Sequence, residues 1–260
     1  VVDPDDFLKE VDYLKSNGFD TSLIKVSPKA HIVTTDHKEE DSMKYRASLG
    51  TTAKGIGPCY KNKYARIGIR AEDIDKLKDY IWDEMLYGNI LCEGAQGFWL
   101  DINYGNYPYV TSSNTLPYGA CSLGFSPKLI NNIYGAIKIY DTRSGKDPDF
   151  PDTLFNDNDL KQLAILGEEY GNTTGRARKV NWLNIDKLIK AIQISGTTIL
   201  IISKIDIIKQ VNVYKIYYKN KLITFTDYNN MFLFIDSTIK SECVFIEKII
   251  QSDTPNLISI

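Results

Sequence analysis

The 260-residue sequence predicts an α/β fold, a mostly parallel central sheet flanked by helices, and three observations carry that prediction. Residues 198–203, Thr-Ile-Leu-Ile-Ile-Ser, form a short continuous apolar run of the kind found in strands buried on both faces, as parallel strands are. A helical pattern over 185–194 leads into that run, the alternation that builds parallel sheets. Finally, turns rich in glycine and polar side chains follow apolar runs, as at the ligand-binding edge of open α/β sheets.

The elements follow in order. Asp3 is placed to cap a helix with Pro4 at its first position, Phe7, Val11 and Leu14 recur at helical spacing, and Gly18 ends the run. Residues 23–26 and 30–33 read as short strands around Ser27-Pro28. His31 and His37, the two histidines, stand either as a ligand pair or general base, or as structural residues; no acidic or cysteine partner sits at ligand spacing. Residues 37–46 read as a solvated helix or loop. Residues 50–58, Gly-Thr-Thr-Ala-Lys-Gly-Ile-Gly-Pro, concentrate backbone N–H groups and hydroxyls in one turn suited to a phosphate, without matching the common GxxxxGK[ST] pattern. A helix is predicted over 61–70, carrying Lys61, Lys63, Arg66 and Arg70 on what is either a solvated face or a basic site. An amphipathic helix over 71–87, with Ile74, Leu77, Tyr80, Ile81 and Met85 on one face, is expected next.

The stretch 93–115, EGAQGFWLDINYGNYPYVTSSNT, is the centre of the chain. The apolar run 89–92 feeds it as a buried strand, its glycines allow close backbone approach, and it ends in hydroxyls and an amide. It reads either as a binding loop or as an ordinary glycine-rich connection. A helix at 127–134 and a strand at 136–140 lead into Thr142-Arg143-Ser144-Gly145, and a surface helix at 157–166 precedes residues 171–179, Gly-Asn-Thr-Thr-Gly-Arg-Ala-Arg-Lys. Threonines and three cations in one tight loop suit a carboxylate or phosphate, which arginine can grip with two parallel donors. Past strand 198–203 comes Lys204-Ile205-Asp206. Its carboxylate can accept from guanine N1–H and N2–H₂ while the lysine stem lies against the base; a plain surface turn is the alternative.

Composition narrows the function classes. Hydrophobic content of 43% and charged content of 25% describe an ordinary soluble globular chain. A net charge of −2 and a pI near 5.8 point to neither a nucleic-acid nor a membrane partner, so any anion site must be built locally. Cys59, Cys92, Cys121 and Cys243 show no CxxC spacing, which argues against zinc and disulfides and for a reducing, cytoplasmic setting. No apolar run is long enough to span a bilayer.

Four clusters in this order resemble the adenylosuccinate synthetase family. The family shows GTT-x-x-GIGP-x-Y ending in A-R-x-G, here residues 50–60 and 65–68. It shows E-G-A-Q-G followed by L-D-I-x-x-G-x-Y-P-Y-V-T-S-S-N-T, here 93–115. T-T-G-R-x-R followed by W-L-D corresponds to 173–178 and Trp182-Leu183-Asn184, and T-K-x-D to 203–206. The resemblance runs over 1–206. It implies a P-loop-NTPase-like fold, one domain over 1–260 with a divergent part at 207–260, and a ligase that joins L-aspartate to IMP with GTP as co-substrate, giving adenylosuccinate, GDP and phosphate. By matching position, Thr51, Thr52, Gln96 and Thr111 hold IMP, with Arg66 reaching it from the partner in a homodimer. Gly171, Asn172, Thr173, Thr174 and Arg176 hold aspartate, Arg176 also spanning the ribose. Arg178, Lys204, Asp206 and Ser252 hold the guanine nucleotide.

The departures carry expectations of their own. The family's N-terminal phosphate loop, with its catalytic aspartate and magnesium ligand, and its Gly-His turn are not matched; His31 and His37 do not correspond to it. No catalytic or metal-binding residue is therefore assigned in this chain, and those groups, with the Mg²⁺ ligands, are expected upstream of Val1. The family's T-R-V-G-x-G-P becomes residues 142–148, Thr-Arg-Ser-Gly-Lys-Asp-Pro, and its S-T-G-P becomes Ser252-Asp253-Thr254-Pro255. Two other functions remain compatible with the residues: a phage-type ligase joining aspartate to dGMP, and a nucleotide-binding fragment without catalysis.

Overall fold

A computed structural model describes residues 1–82, 84–171 and 175–253. The chain forms two compact units, one of residues 1–96 and 100–115, the other of residues 97–99 and 116–260.

In the first unit, α1 (Pro4–Ser16) is capped as its sequence demands: the Asp3 carboxylate accepts from the N–H groups of Asp5 and Asp6, and Pro4 opens the helix. α2 (Thr35–Glu40) runs through a π-helical turn, Asp41–Tyr45, into α3 (Arg46–Leu49). α4 (Ile56–Ala65) then starts from Gly55. Val26, Ile32, Ala71 and Leu77 form a small core of this unit.

Several elements differ from the sequence prediction. The helix expected at 61–70 is α4, which begins five residues earlier and stops at Arg66, whose φ of +64° ends it. The strands at 23–26 and 30–33 shrink to single bridges, Val26 to Ile81, Val2 to Ile32 and His31 to Arg70, because each meets only a short extended partner. The helix at 71–87 is two 3₁₀ turns, Ala71–Asp73 and Asp75–Tyr80, joined by an extended Ile74. Aspartates at 73, 75 and 79 favour local turns over helix, and the Val26 N–H donates to the Tyr80 carbonyl, holding that end extended. The face is still apolar, with Ala71 and Leu77 fully buried. Residues 89–92 carry no strand, and Leu91 is 87% exposed. A four-residue apolar run has no periodicity that says which partner should cover it.

The second unit holds the sheets. β1 (Tyr134–Lys138) runs almost directly into β2 (Tyr140–Arg143), with only Ile139 between, so one extended segment serves two sheets. The helix expected at 127–134 is a single 3₁₀ turn, Pro127–Leu129; Ser126 and Pro127 start it, and the chain is extended again by Ile130. α5 (Asn158–Leu166), β3 (Lys179–Asn184), α6 (Ile185–Ser195), β4 (Ile199–Ser203), α7 (Ile205–Val211), β5 (Tyr214–Tyr218), β6 (Lys221–Phe225), α8 (Tyr228–Glu242) and β7 (Lys248–Gln251) follow. One sheet is parallel, in order β1-β4-β7, with Ala136 opposite Ile201 and Ile201 opposite Ile250. The other, in order β2-β3-β5-β6, is mixed. The α/β class with a parallel sheet is thus observed.

β4 is the predicted buried strand: Leu200 and Ile202 are sealed at 1% and 0% exposure. Side chains of this kind contribute about 1.5–3 kcal/mol each when fully buried. α6 presents Ile185, Leu188 and Ile192 to the core, starts at an Asn184 cap and ends at Gly196 with φ +69°. α8 does the same with Tyr228, Met231, Ile235 and Ile239. Among the described residues no helix is long and apolar enough to cross a membrane.

Asp141 on β2 is an exception in this apolar setting. It lines a cavity of about 160 Å³ with Asn181, Asn184 and Lys187, and accepts the Asn184 N–H at 3.0 Å. Burial pushes its carboxyl up to about 7, against the opposing pull of the Asn184 hydrogen bond and the Lys187 charge. A folded-state value above the unfolded one means the folded chain holds the extra proton between about 4 and 7, so this group's stabilisation is present in acid and lost as pH rises through 7. We expect Asp141→Asn to raise the melting temperature at pH 8 and leave it nearly unchanged at about pH 3.5, below the ordinary carboxylate value. The gain is about 2 kcal/mol at pH 8, roughly half the full conversion because the cavity admits water. Equal shifts at both pH values in thermal melts would refute this origin.

Candidate functional site

In the first unit, the turn over 50–57 is held from behind by a buried carboxylate that sequence reading passed over. Asp41, 4% exposed, accepts from the Thr51 hydroxyl at 2.7 Å and from the Gly55 N–H at 2.9 Å. Gly55 has φ +77°, and a Cβ there would come within 2.8 Å of the Lys38 backbone nitrogen, so only glycine fits. Thr51 therefore spends its hydroxyl on the fold. Thr52, by contrast, lines a cavity of about 440 Å³ with Ala53, Lys54, Lys38, Ser42 and Arg46. Two of those cations are paired, Lys38 with Asp3 and Lys54 with Asp6.

His37 is structural. Its Nδ1 accepts the Thr34 N–H in a capping box and its Nε2 lies 2.8 Å from the Asn62 amide. His31 lies on the bridge to Arg70, where burial lowers its pKa.

The motif ending in Thr115 packs onto the 50–58 turn. A Cβ on Gly57 would stand 3.1 Å from Ser112 Oγ, and the Tyr60 hydroxyl is hydrogen-bonded to Ser113. Thr111 is fixed by its N–H, which donates to the Leu100 carbonyl at 2.8 Å. The organiser is Asp101, fully buried, whose carboxylate accepts the N–H groups of Asn103, Tyr104 and Thr115. Gln96 is exposed with φ +64°. Gly94 and Gly97 face open space, where an added Cβ would meet nothing. Packing therefore does not require those two glycines. Arg66 is exposed at the end of α4, beside Tyr64 and Ile67, which are 69% and 71% exposed.

In the second unit, Asn172, Thr173 and Thr174 lie outside the described residues. The neck of their loop is defined: the Gly171 N–H donates to the Arg176 carbonyl, the Gly175 N–H to the Gly171 carbonyl, and Tyr170 bridges Ala177. Arg176 is exposed. Arg178 is tethered to Glu169, side chain to side chain at 3.1 Å and backbone N–H to carbonyl at 2.8 Å.

Beyond β4, Lys204 takes φ +65° and its ammonium donates to the Gly167 carbonyl at 3.0 Å. Asp206 sits in the first turn of α7, half-buried. Ser252 joins this turn: its N–H donates to the Ile202 carbonyl and its carbonyl accepts the Ile205 N–H. The K-x-D turn and the Ser252 segment, far apart in sequence, are neighbours. Among the described residues no group of three or more His, Cys, Asp or Glu side chains is placed to hold a metal ion.

A hydroxyl-lined turn in one unit, and in the other a cation-rich turn between α5 and β3 together with the Lys204 turn past parallel β4, describe an α/β protein suited to anionic ligands such as nucleotides. The comparisons give the family. The family model described as adenylosuccinate synthetase matches residues 1–86 and 75–230, and the chain belongs to that family. The adenylosuccinate synthetase of Caldanaerobacter subterraneus subsp. tengcongensis is 36% identical over 264 residues, 79% of this chain and 61% of the relative. That of Thermodesulfovibrio yellowstonii is 36% identical over 271 residues, 83% of this chain and 63% of the relative. The chain thus spans less than two thirds of the length of these relatives. Among solved structures, the fully ligated adenylosuccinate synthetase from Plasmodium falciparum aligns with a TM-score of 0.77 at 23% identity, covering 96% of this chain and 79% of that one. The succinoaminodeoxyadenylate synthetase of cyanophage S-2L, bound to dGMP and dATP, aligns at 0.58 and 17% identity, covering 92% and 77%. Both likenesses speak to the fold.

Proposed function

We propose that this chain supplies the substrate-binding part of an enzyme that ligates L-aspartate to IMP with GTP, forming adenylosuccinate, GDP and phosphate. The observation that carries the reading is the turn Lys204-Ile205-Asp206 at the end of buried β4, braced by Ser252. A half-buried carboxylate there suits guanine, which offers two donors, and repels adenine, which offers an acceptor at N1.

In this reading Thr52, Gln96 and Thr111 hold IMP, and the exposed Arg66 reaches the site of a second subunit in a homodimer. Residues 171–176 hold aspartate, the arginine matching its carboxylates. Arg178, Lys204, Asp206 and Ser252 hold the nucleotide. Thr51 acts from behind, through Asp41.

The test is turnover of IMP, aspartate and GTP with Mg²⁺ by the enzyme in which this chain supplies the substrate-binding part, followed by the ultraviolet rise of adenylosuccinate, with dGMP as the competing acceptor. Product with IMP supports the reading; product with dGMP alone overturns it. Asp206→Asn is expected to raise the KM for GTP at least ten-fold, about 1.4 kcal/mol, and leave that for IMP unchanged. Equal loss for both would remove its role in reading the base.

A further inference from the structure

Glu169 belongs to no motif that the function above uses, yet its buried carboxylate binds three side chains. Its side chain is 1% exposed. Oε2 accepts from Lys138 at 2.6 Å and from Arg178 at 3.1 Å, and Oε1 accepts the Tyr140 hydroxyl at 2.9 Å. Burial alone would raise this carboxyl; the Lys138 bond and charge, then Tyr140 and Arg178, outweigh it and hold it low. The partners come from three places, the end of β1, the start of β2 and the neck of the loop over 171–176, and meet Glu169 in the turn after α5. Gly167 at that turn also receives the Lys204 ammonium on its carbonyl. The Arg178 side chain keeps 29% of its surface, so it is tethered without being sealed.

We propose that Glu169 is a positioning residue: it aims Arg178, and with it the base of the 171–176 loop, at the phosphate groups of the nucleotide, while the Lys138 charge keeps the buried carboxylate from repelling them. The inference rests on the ligase reading above. Electrostatics makes it testable by sign. Two cations, Lys138 and Arg178, converge on one buried carboxylate, and the Lys204 charge is near enough to act on Lys138. If Glu169 contributed charge alone, removing it would make the site more positive and tighten anion binding. If it positions Arg178, removing it weakens binding, because the neutral amide cannot hold two cations and the guanidinium leaves its aim.

The experiment is calorimetric titration of the full chain with GDP in the presence of Mg²⁺, with thermal melts as a check on folding. Glu169→Gln is expected to bind GDP about ten-fold more weakly, the factor one misplaced charge-assisted hydrogen bond commands. Arg178→Met should lose a similar factor, and the double variant no more than the larger of the two, because both act through one contact. Glu169→Asp keeps the charge and withdraws the carboxylate by one methylene; weaker GDP binding in that variant supports positioning, even if Glu169→Gln does not fold. Unchanged or tighter GDP binding in either foldable variant, or additive losses in the double variant, would overturn the inference while leaving the ligase reading intact. A wild-type chain that binds no GDP would sink both.

Discussion

Asp101→Asn is expected to destabilise the first unit by about 2–4 kcal/mol and, on the ligase reading proposed above, to raise the KM for IMP. The carboxylate is fully buried and accepts three backbone N–H groups, from Asn103 at 2.8 Å, Tyr104 at 3.3 Å and Thr115 at 2.7 Å. An asparagine of the same shape can accept with only one of its two ends. Either the N–H groups of Asn103 and Tyr104 or that of Thr115 then face an NH₂ group, and a buried donor goes unsatisfied. The change reaches function because the same loop holds Thr111 through the Leu100 carbonyl and closes through Ile102 and Ser113. Thermal melts and substrate titrations check it. A melting temperature within about 2 °C of wild type would show that the carboxylate is not what holds the loop.

Gly167→Ala is expected to cost about 3 kcal/mol, at the upper end of the range for overpacking a core. The backbone there, φ −78° and ψ −3°, suits any residue, so the effect is steric and not conformational. A Cβ would stand 2.2 Å from the Tyr140 hydroxyl oxygen and 2.8 Å from the Leu163 carbonyl. Tyr140 is 1% exposed and its hydroxyl is bonded to Glu169, so it cannot swing into solvent. Moving it disturbs the carboxylate that tethers Arg178, and nucleotide binding should fall with stability. Gly167→Ala combined with Tyr140→Phe removes the closest clash and should recover about half the loss in a denaturant titration. No recovery would place the strain at the Leu163 carbonyl instead.

Local signals were legible. The Asp3 cap with Pro4, the Asn184 cap with Gly196, the apolar stripe of α6 and the continuous run of β4 all depend on residues within a turn or two of one another. The order of four motifs was equally legible, and it led to the family that the family model matches. Two of the misreadings share one cause. Residues 71–87 have a helical pattern of apolar side chains, but their backbone is drawn into a bridge with Val26. Residues 89–92 look like a buried strand, and Leu91 stands exposed. In each case the outcome depended on a distant partner that periodicity does not specify.

The candidate site divides the same way. Sequence alone determined its chemistry: the hydroxyls of the 50–58 turn, the cations of 171–179 and the carboxylate of Asp206 are residue types set close together along the chain. Only the tertiary structure decided which of them are tied into the fold. It assigned Thr51 to Asp41 and left Thr52 in a cavity, set Ser252 beside the Lys204 turn, and gave Arg178 to Glu169. Asp41 and Glu169 carry no local signature, because their donors arrive from elsewhere in the chain, and Asp101 joins two local donors to the N–H of Thr115, fourteen residues on. Burial makes each of those donors obligatory, and the need to satisfy them is what turns a run of motifs into a site.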